Sequence, residues 1–367
     1  MNTEFFTSEQ IKKMGPIFNH FSFDNHEQIV FCNDEDTGLK AIIGIHNTVL
    51  GPALGGTRMW NYQNEWEALY DVLRLSRGMT FKSSLAGLDL GGGKAVIIGD
   101  AKKQKNDKLM KKFAEFVHSL SGKYITAEDI GMETRDMDII KQVTPYVSGI
   151  SENLGGSGNP SPVTAYGVFM GIKASCKYKF GSDNLENIKV WVQGVGNVGE
   201  SLVEHLCKAG AQVFITDIFE DKLKEVSNKY GATIYKGLDI FSQNVDIYAP
   251  CALGATINDN SISKLKATII AGGANNQLED ENKHGKLLKE KGIIYAPDFL
   301  INAGGIINVN AEVAGYDRAE SIKRTENIYN TTLEIYKLSD SEGITTHEAA
   351  LNIALKRIDN RRKENLK

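Results

Sequence analysis

The chain has 367 residues, with 42 basic and 46 acidic side chains, so its formal net charge is −4. At roughly 100–200 residues per domain the length predicts two domains, and 41% hydrophobic with 24% charged residues excludes intrinsic disorder. Near-neutral charge gives no electrostatic reason to bind nucleic acid or an anionic membrane, and no run approaches the ~18 apolar residues of a spanning helix. The start, Met1-Asn-Thr-Glu-Phe-Phe-Thr, lacks the basic and apolar regions of a signal peptide, so a cytoplasmic location is expected.

From Leu39 onward, short apolar runs alternate with helical patterns. Lys40–Ile45 predicts a strand, and Glu65 to about Gly78 an amphipathic helix with Trp66, Leu69, Tyr70 and Leu73 on one side. Ala95–Ile98 predicts a second strand, and Asp107–Leu120 a helix with Leu109, Phe113, Phe116, Val117 and Leu120 in phase. This alternation argues for an α/β class. A turn-rich stretch from Ser151 to Pro162 interrupts it, and a helix from Val163 to about Tyr178 follows, with Pro162 suited to its first turn. The domain junction is placed there, giving one domain over 1–150 and a second over 151–330.

Beyond the junction Ile188–Gln193, Gln212–Thr216, Ala232–Tyr235, Asp246–Ala249, Ala267–Ala271 and Gly292–Tyr295 are strand candidates. The stretch Arg318–Arg362 reads as helical, and helices of about 330–367 are expected to return to the first domain. Cys32, Cys176, Cys207 and Cys251 form no CxxC pair, and the histidines form no spaced set. No metal site is therefore expected, and the cysteines read as small buried hydrophobes. Glycine is enriched, 36 residues against a usual ~7%. Its clusters suggest loops shaped around something small.

The strongest single motif is Gly194-Val195-Gly196-Asn197-Val198-Gly199. It follows an apolar strand and opens a helix, and a second strand ends at Asp217, eighteen residues past Gly199. In a dinucleotide fold the first glycine makes the turn, the second admits the pyrophosphate and the third lets helix pack on strand. The helix N-terminus favours the phosphate charge. An acid at Asp217 suits the ribose hydroxyls and repels a 2′-phosphate, which favours NAD over NADP.

A second motif runs from Gly78 through Lys82 to Gly91-Gly-Gly-Lys94. It is no P-loop, because Leu88 holds the required first glycine position and Ala95 follows the lysine. Two lysines flank a glycine-rich turn in nearly uncharged company. A poorly hydrated lysine beside a second cation titrates low enough for acid–base work. Asp129 follows a strand candidate at Tyr124-Ile-Thr-Ala-Glu128, where it is either a catalytic acid or a helix cap. Asn275, Asn276 and Gln277 follow another strand, as ligand-facing amides or ordinary turn residues.

Taken in order, these motifs resemble the glutamate/leucine/phenylalanine/valine dehydrogenase family, and within it the leucine branch. The carriers are Gly51-Pro-Ala-Leu-Gly-Gly-Thr-Arg58, Gly78-Met79-Thr-Phe-Lys82, Leu90-Gly-Gly-Gly-Lys94, Thr126-Ala-Glu-Asp129, Gly158 to Thr164, Gly194–Gly199, Ala274-Asn-Asn-Gln277 and Asn302-Ala-Gly-Gly305. The resemblance implies a substrate domain with a mixed sheet and an NAD-binding Rossmann domain over which it closes. It implies that Lys82 holds the substrate α-carboxylate with Asn276 and backbone near Gly55. Lys94 would activate the water that attacks an imine, and Asp129 would relay a proton to the departing ammonia. Thr164, Ala274 and Asn275 join Gly194–Gly199 and Asp217 as implied NAD contacts.

Leu54, Met79, Ala127, Ile306 and Val309 are the implied side-chain pocket. Glutamate-specific relatives carry a lysine where this chain has Leu54, and stranding a glutamate carboxylate against leucine would cost several kcal/mol. The expected activity is reversible NAD-dependent oxidative deamination of branched-chain L-amino acids, since pockets separate side chains one methylene apart by only ~1–3 kcal/mol. The alternatives are an aromatic amino-acid enzyme of the same architecture and a catalytically silent NAD-binding assembly protein. The resemblance further implies a homo-oligomer, an octamer by analogy with the leucine branch.

Overall fold

A computed structural model describes residues 17–19, 22–237, 239–313 and 316–366. Residues 1–7, read above for a targeting signal, lie outside the described residues. The chain divides into two compact units. The first comprises Met1–Asn159, Val309–Tyr316 and Leu355–Lys367, and the second Pro160–Asn308 and Asp317–Ala354.

The first unit is built on β1 (Gln28–Asp34), β2 (Leu39–Asn47), β3 (Ala53–Trp60), β4 (Gly91–Ile98) and β5 (Tyr124–Glu128). They form a five-stranded sheet in the order β1-β2-β4-β3-β5. β1, β2 and β4 pair antiparallel, whereas β4, β3 and β5 pair parallel, so the sheet is mixed as expected. One face carries Ile43, Ile45, Met59, Ala95, Ile97 and Tyr124 and buries them against α2 (Asp107–Ser119) and α3 (Thr134–Lys141). The other carries Ile42 and Val96 and packs on Leu69, Val72 and Leu73 of α1 (Glu65–Leu85). Strand alternation sorts the two faces, and each fully buried Leu or Ile contributes about 1.5–3 kcal/mol.

Two expectations need correction. The helix expected to stop near Gly78 runs on to Leu85, because it buries Phe81 and Leu85 beyond that exposed glycine. Met79 and Lys82 are thus helical residues. Gly91–Gly93 is no turn but the start of β4. A Cβ there would lie 1.9 Å from the Asn47 carbonyl oxygen at Gly91, 2.1 Å from the Thr80 nitrogen at Gly92, and 2.7 Å from the Tyr124 ring at Gly93. These glycines let neighbouring backbones approach, rather than wrap a ligand.

The second unit holds α4 (Ser161–Phe180), β6 (Lys189–Gln193), α5 (Asn197–Lys208), β7 (Gln212–Thr216), α6 (Glu220–Tyr230), β8 (Thr233–Ile234) and β9 (Ile247–Pro250). It continues through α7 (Asp259–Lys264), β10 (Ile269–Ile270), α8 (Glu281–Glu290), β11 (Ile294–Tyr295) and α9 (Asp298–Ile301). The six strands are all parallel in the order β11-β10-β9-β6-β7-β8. Numbered from β6, that is the doubly wound order of a dinucleotide-binding fold.

α10 (Gly304–Val313), α11 (Arg318–Glu326), α12 (Ile328–Glu342) and α13 (Thr346–Asn365) complete the chain. The expected return of 330–367 to the first domain is too broad. Residues 317–354 belong to the second unit, where Tyr336 of α12 shares a hydrogen bond with Ser175 of α4 at 2.6 Å. Only Leu355–Lys367 and the short Val309–Tyr316 segment belong to the first. There Arg357 donates to the Leu88 carbonyl at 2.7 Å and, with Arg361, to Asp89. The junction itself falls at Asn159 and Pro160, nine residues past the expected position. Among the described residues no helix is long and apolar enough to cross a membrane, and no cluster of His, Cys, Asp or Glu could hold a metal.

Candidate active site

In the first unit, strand register assembles a charged cluster. Thr57 of β3 pairs with Ala95 of β4 and with Glu128 of β5, so Arg58 lies beside Val96 and next to Asp129 as the chain leaves β5. Lys94 stands two residues before Val96 and therefore on the same face. Lys94 Nζ lies 3.1 Å from Asp129 Oδ2, and Arg58 Nε donates to the same oxygen at 2.8 Å. Arg58 Nη1 donates to Asp71 Oδ2 of α1 at 2.8 Å. Tyr62 Oη donates to that oxygen at 2.7 Å, while Arg74 Nη2 reaches Asp71 Oδ1 at 3.1 Å.

The burial of this cluster sets its charge states. Lys94 is only 5% exposed, and burial pushes its ammonium below the usual lysine range; Asp129 opposes that shift and Arg58 adds to it. Burial alone would raise the Asp129 carboxyl, but Lys94 and Arg58 outweigh it and hold the group well below the usual carboxylate range. Burial works against the Arg58 guanidinium, yet Asp129 and Asp71 raise it further, so it is permanently charged. The cluster thus offers a lysine that gives up its proton readily beside a carboxylate that stays ionised.

Lys82 is half-buried on the last turn of α1. Leu54, Gly55 and Ala127 are buried on the adjacent strands β3 and β5, where Gly55 pairs with Thr126. Met79 comes close to them: its Cγ lies 3.2 Å from where a Cβ on Gly55 would stand. Tyr124 Oη donates to the Gly55 carbonyl at 2.6 Å, which pins that glycine. Val309, a buried residue of α10, belongs to this unit, whereas Ile306, one turn earlier and also buried, belongs to the second.

In the second unit, β6 runs into Gly194-Val195-Gly196, and Asn197, Val198 and Gly199 open α5. Gly194 has φ +96°, which only glycine adopts freely. A Cβ on Gly199 would stand 2.0 Å from the Gly194 carbonyl oxygen, whereas one on Gly196 would meet nothing within 4 Å. The turn is therefore tightly packed behind and open in front. Asp217, at the end of β7, accepts from the Val195 amide at 2.7 Å and the Phe219 amide at 3.1 Å, which holds its carboxylate at the glycine turn.

Thr164 lies in the first turn of α4, its hydroxyl donating to the Pro160 carbonyl at 3.0 Å. A Cβ on Gly305 would come within 2.8 Å of that hydroxyl oxygen. Ala274 is buried, and Asn275 accepts a 2.8 Å hydrogen bond from Asn302. Asn276 is exposed with φ +51°, a conformation asparagine tolerates better than most residues. Gln277 does not face outward. Its amide nitrogen donates to the Gly272 and Ala274 carbonyls at 2.7 and 3.0 Å and braces the loop.

Residues 26–146 match the Glu/Leu/Phe/Val dehydrogenase dimerisation domain, and residues 155–218 and 215–365 match the glutamate/leucine/phenylalanine/valine dehydrogenase domain. The chain belongs to the Glu/Leu/Phe/Val dehydrogenase family. It is 52% identical to leucine dehydrogenase of Bacillus subtilis (strain 168) over 347 residues, 95% of both chains. It is 47% identical to an L-tryptophan dehydrogenase of Nostoc punctiforme over 359 residues, 98% of both. The crystal structure of L-tryptophan dehydrogenase from Nostoc punctiforme superposes with a TM-score of 0.82 at 44% identity, covering 97% of this chain and 99% of that one. The chain is accordingly an amino-acid dehydrogenase of small-molecule substrates, in a family that uses NAD(P).

Arg58, Asp71 and Tyr62 carry no role in the sequence reading. Arg58 sits inside a quoted motif, but its partners are thirteen residues on, in α1, and seventy-one residues on, after β5. No spacing rule links those positions. The sequence signal is an arginine, the one charged residue of its strand.

Proposed function

We propose that this dehydrogenase catalyses the reversible NAD-dependent oxidative deamination of L-leucine and other branched-chain L-amino acids to 2-oxo acids and ammonia. One observation carries the reading: buried Lys94, 3.1 Å from a partly exposed Asp129 carboxylate, stands in a unit where Leu54 is buried at the position that, by the resemblance, glutamate-specific relatives give to lysine. The first unit is the substrate domain and the second the dinucleotide domain.

The residues of the second unit fit a dinucleotide, since the Gly194–Gly199 turn is open at Gly196 and closed behind Gly199. The turn and the α5 N-terminus would hold the pyrophosphate, and Asp217 the adenosine ribose. Thr164, Ala274 and Asn275 keep the cofactor-side places the resemblance gives them. A bound nicotinamide supplies the acceptor for the hydride that leaves the substrate Cα. Lys82 binds the α-carboxylate. Neutral Lys94 takes a proton from water as that water's oxygen bonds to the imine carbon. The proton passes through Asp129, which is ionised again once it has gone, to the carbinolamine nitrogen; Lys94, neutral again, takes the hydroxyl proton as the C=O forms and the C–N bond breaks, and ammonia leaves with a 2-oxo acid behind.

The side chain is received in the first unit by Leu54, Met79, Ala127 and Val309, none of which can pair a carboxylate. The enzyme acts in the cytoplasm as a homo-oligomer, an octamer by analogy with the leucine branch. NADH formation at alkaline pH, with leucine, valine, isoleucine, phenylalanine and glutamate in parallel and NADP as the alternative cofactor, tests the whole reading. Turnover with the branched-chain set and NAD supports it. The 47% identity to a tryptophan enzyme supports the second reading, an aromatic substrate. Turnover chiefly with phenylalanine would favour that reading, keeping the lysine chemistry and overturning the pocket.

A further inference from the structure

We infer that Arg58, anchored by Asp71, is a positioning residue that clamps the Asp129 carboxylate and sets the charge of Lys94. This inference rests on the roles given above to Lys94 and Asp129. The geometry is a chain of four side chains from three elements. Arg58 bridges two carboxylates, with Nε on Asp129 Oδ2 and Nη1 on Asp71 Oδ2, both at 2.8 Å. The rear carboxylate is fixed from two further sides, by Tyr62 at 2.7 Å and Arg74 at 3.1 Å. The front carboxylate shares one oxygen between Arg58 and Lys94. Asp129 cannot turn away from Lys94 without breaking a charge-assisted bond to a guanidinium that is itself held at its far side.

Arg58 and Arg74 balance Asp71 and Asp129, so the cluster is neutral when Lys94 carries no proton. Protonated Lys94 is the surplus charge, in a place where burial already disfavours it. Removing Arg58 leaves one uncompensated carboxylate, and Lys94 becomes the nearest group that can supply a proton. Burying ions merely to stabilise a fold is inefficient, because apolar side chains of similar volume do as well or better. A four-membered network behind one reactive carboxylate is better explained by what it does to that carboxylate.

The other groups on this face do not compete. Among the neighbours of β4, β2 brings His46, which burial and the adjacent His26 hold at about 4, so it is neutral where the lysine works. α1 brings Asp71 with Arg74, and carries Lys82 on its last turn. On the opposite face of the sheet β5 carries Tyr124, whose hydroxyl burial keeps protonated. Tyr62 likewise stays protonated through burial and Asp71, and acts only as a donor. Arg58 both touches Asp129 and is anchored elsewhere, on Asp71.

The test uses the full-length enzyme and its Arg58→Ala, Arg58→Lys and Asp71→Asn variants, with kcat and KM for leucine measured across pH. Arg58→Ala is expected to lower kcat about 100-fold with KM changed little. The acid limb of its kcat/KM profile should move up by about one pH unit, as Lys94 retains its proton longer. Guanidinium at low concentration should restore part of the rate. Arg58→Lys keeps the charge but loses the fork, so its limb should stay in place while kcat falls about tenfold.

If Arg58→Ala fails to fold, Asp71→Asn reads the same network from behind. It should loosen the clamp, lower kcat and leave KM alone. A wild-type pH profile in Arg58→Ala, with activity lost only in proportion to folded protein, would overturn the inference and leave the deamination reading standing. A wild-type enzyme silent with every amino acid would overturn that reading itself.

Discussion

In the first unit the proposed functional groups are charged side chains on strands or just past a strand end, and Lys94, Arg58 and Asp129 meet because three strands pair in one register. In the second unit the functional surface is backbone, a glycine turn with φ +96° at Gly194 and a helix start, and Asp217 is held there by a backbone amide. The first arrangement tunes proton affinity, which depends on burial and on neighbouring charge. The second offers amide hydrogens whose positions hardly change with pH. Substitutions should therefore separate chemistry from cofactor binding along the boundary between the units.

The sharpest break is Lys94→Ala. It should lower kcat by at least ~1,000-fold, in the upper range for loss of an acid–base group, while NADH still binds as judged by fluorescence titration. Retained turnover would sink the lysine mechanism. Gly199→Val should do the reverse. Its side chain would begin 2.0 Å from the Gly194 carbonyl oxygen and force the turn apart. The KM for NAD should rise by tens of fold, ~2 kcal/mol, with the pH profile of kcat unmoved.

Leu54→Lys probes selectivity inside the first unit. Leu54 is 2% exposed, so a lysine there is desolvated unless a substrate carboxylate meets it. Leucine kcat/KM should fall by tens of fold while glutamate turnover appears, in side-by-side assays of both substrates.

The smallest effect concerns the scaffold. His46 is buried, its ring 4.7 Å from that of His26, and its pKa is lowered from 6.5 to about 4. A histidine held neutral in the fold but free to protonate when unfolded contributes stability that is complete above 6.5 and is lost as pH falls toward 4. By about pH 5 the loss should be ~2 kcal/mol, visible as a falling denaturant midpoint. His46→Asn, which keeps a partner for Thr80 without titrating, should flatten that slope.

Much of the fold was legible in the chain. The strand–glycine turn–helix at Gly194 and the acid at Asp217 are local features with a fixed spacing, and the parallel second sheet follows from the βαβ rhythm. The proposed catalytic pair was legible for another reason: Lys94 and Asp129 are polar residues in apolar segments, and such residues need a partner. The glycines at Gly91–Gly93 were misread because the reason for glycine there lies in Asn47, Thr80 and Tyr124, which approach from other elements. The overrun of α1 past Gly78 has the same origin. An exposed glycine costs a helix about 1 kcal/mol, and burying Phe81 and Leu85 beyond it outweighs that loss.

By itself, then, the sequence determined the α/β class, the glycine turn of the second unit, the lysine and aspartate proposed to carry the chemistry, and the family. Each rests on interactions within a few residues or on the cost of burying a charge. Tertiary structure alone decided that residues 317–354 belong with the second unit, and that Arg58 links Asp129 to Asp71. Those choices turn on which faces meet across long stretches of chain, and on strand register, where a slip of one residue would turn Arg58 to the opposite face.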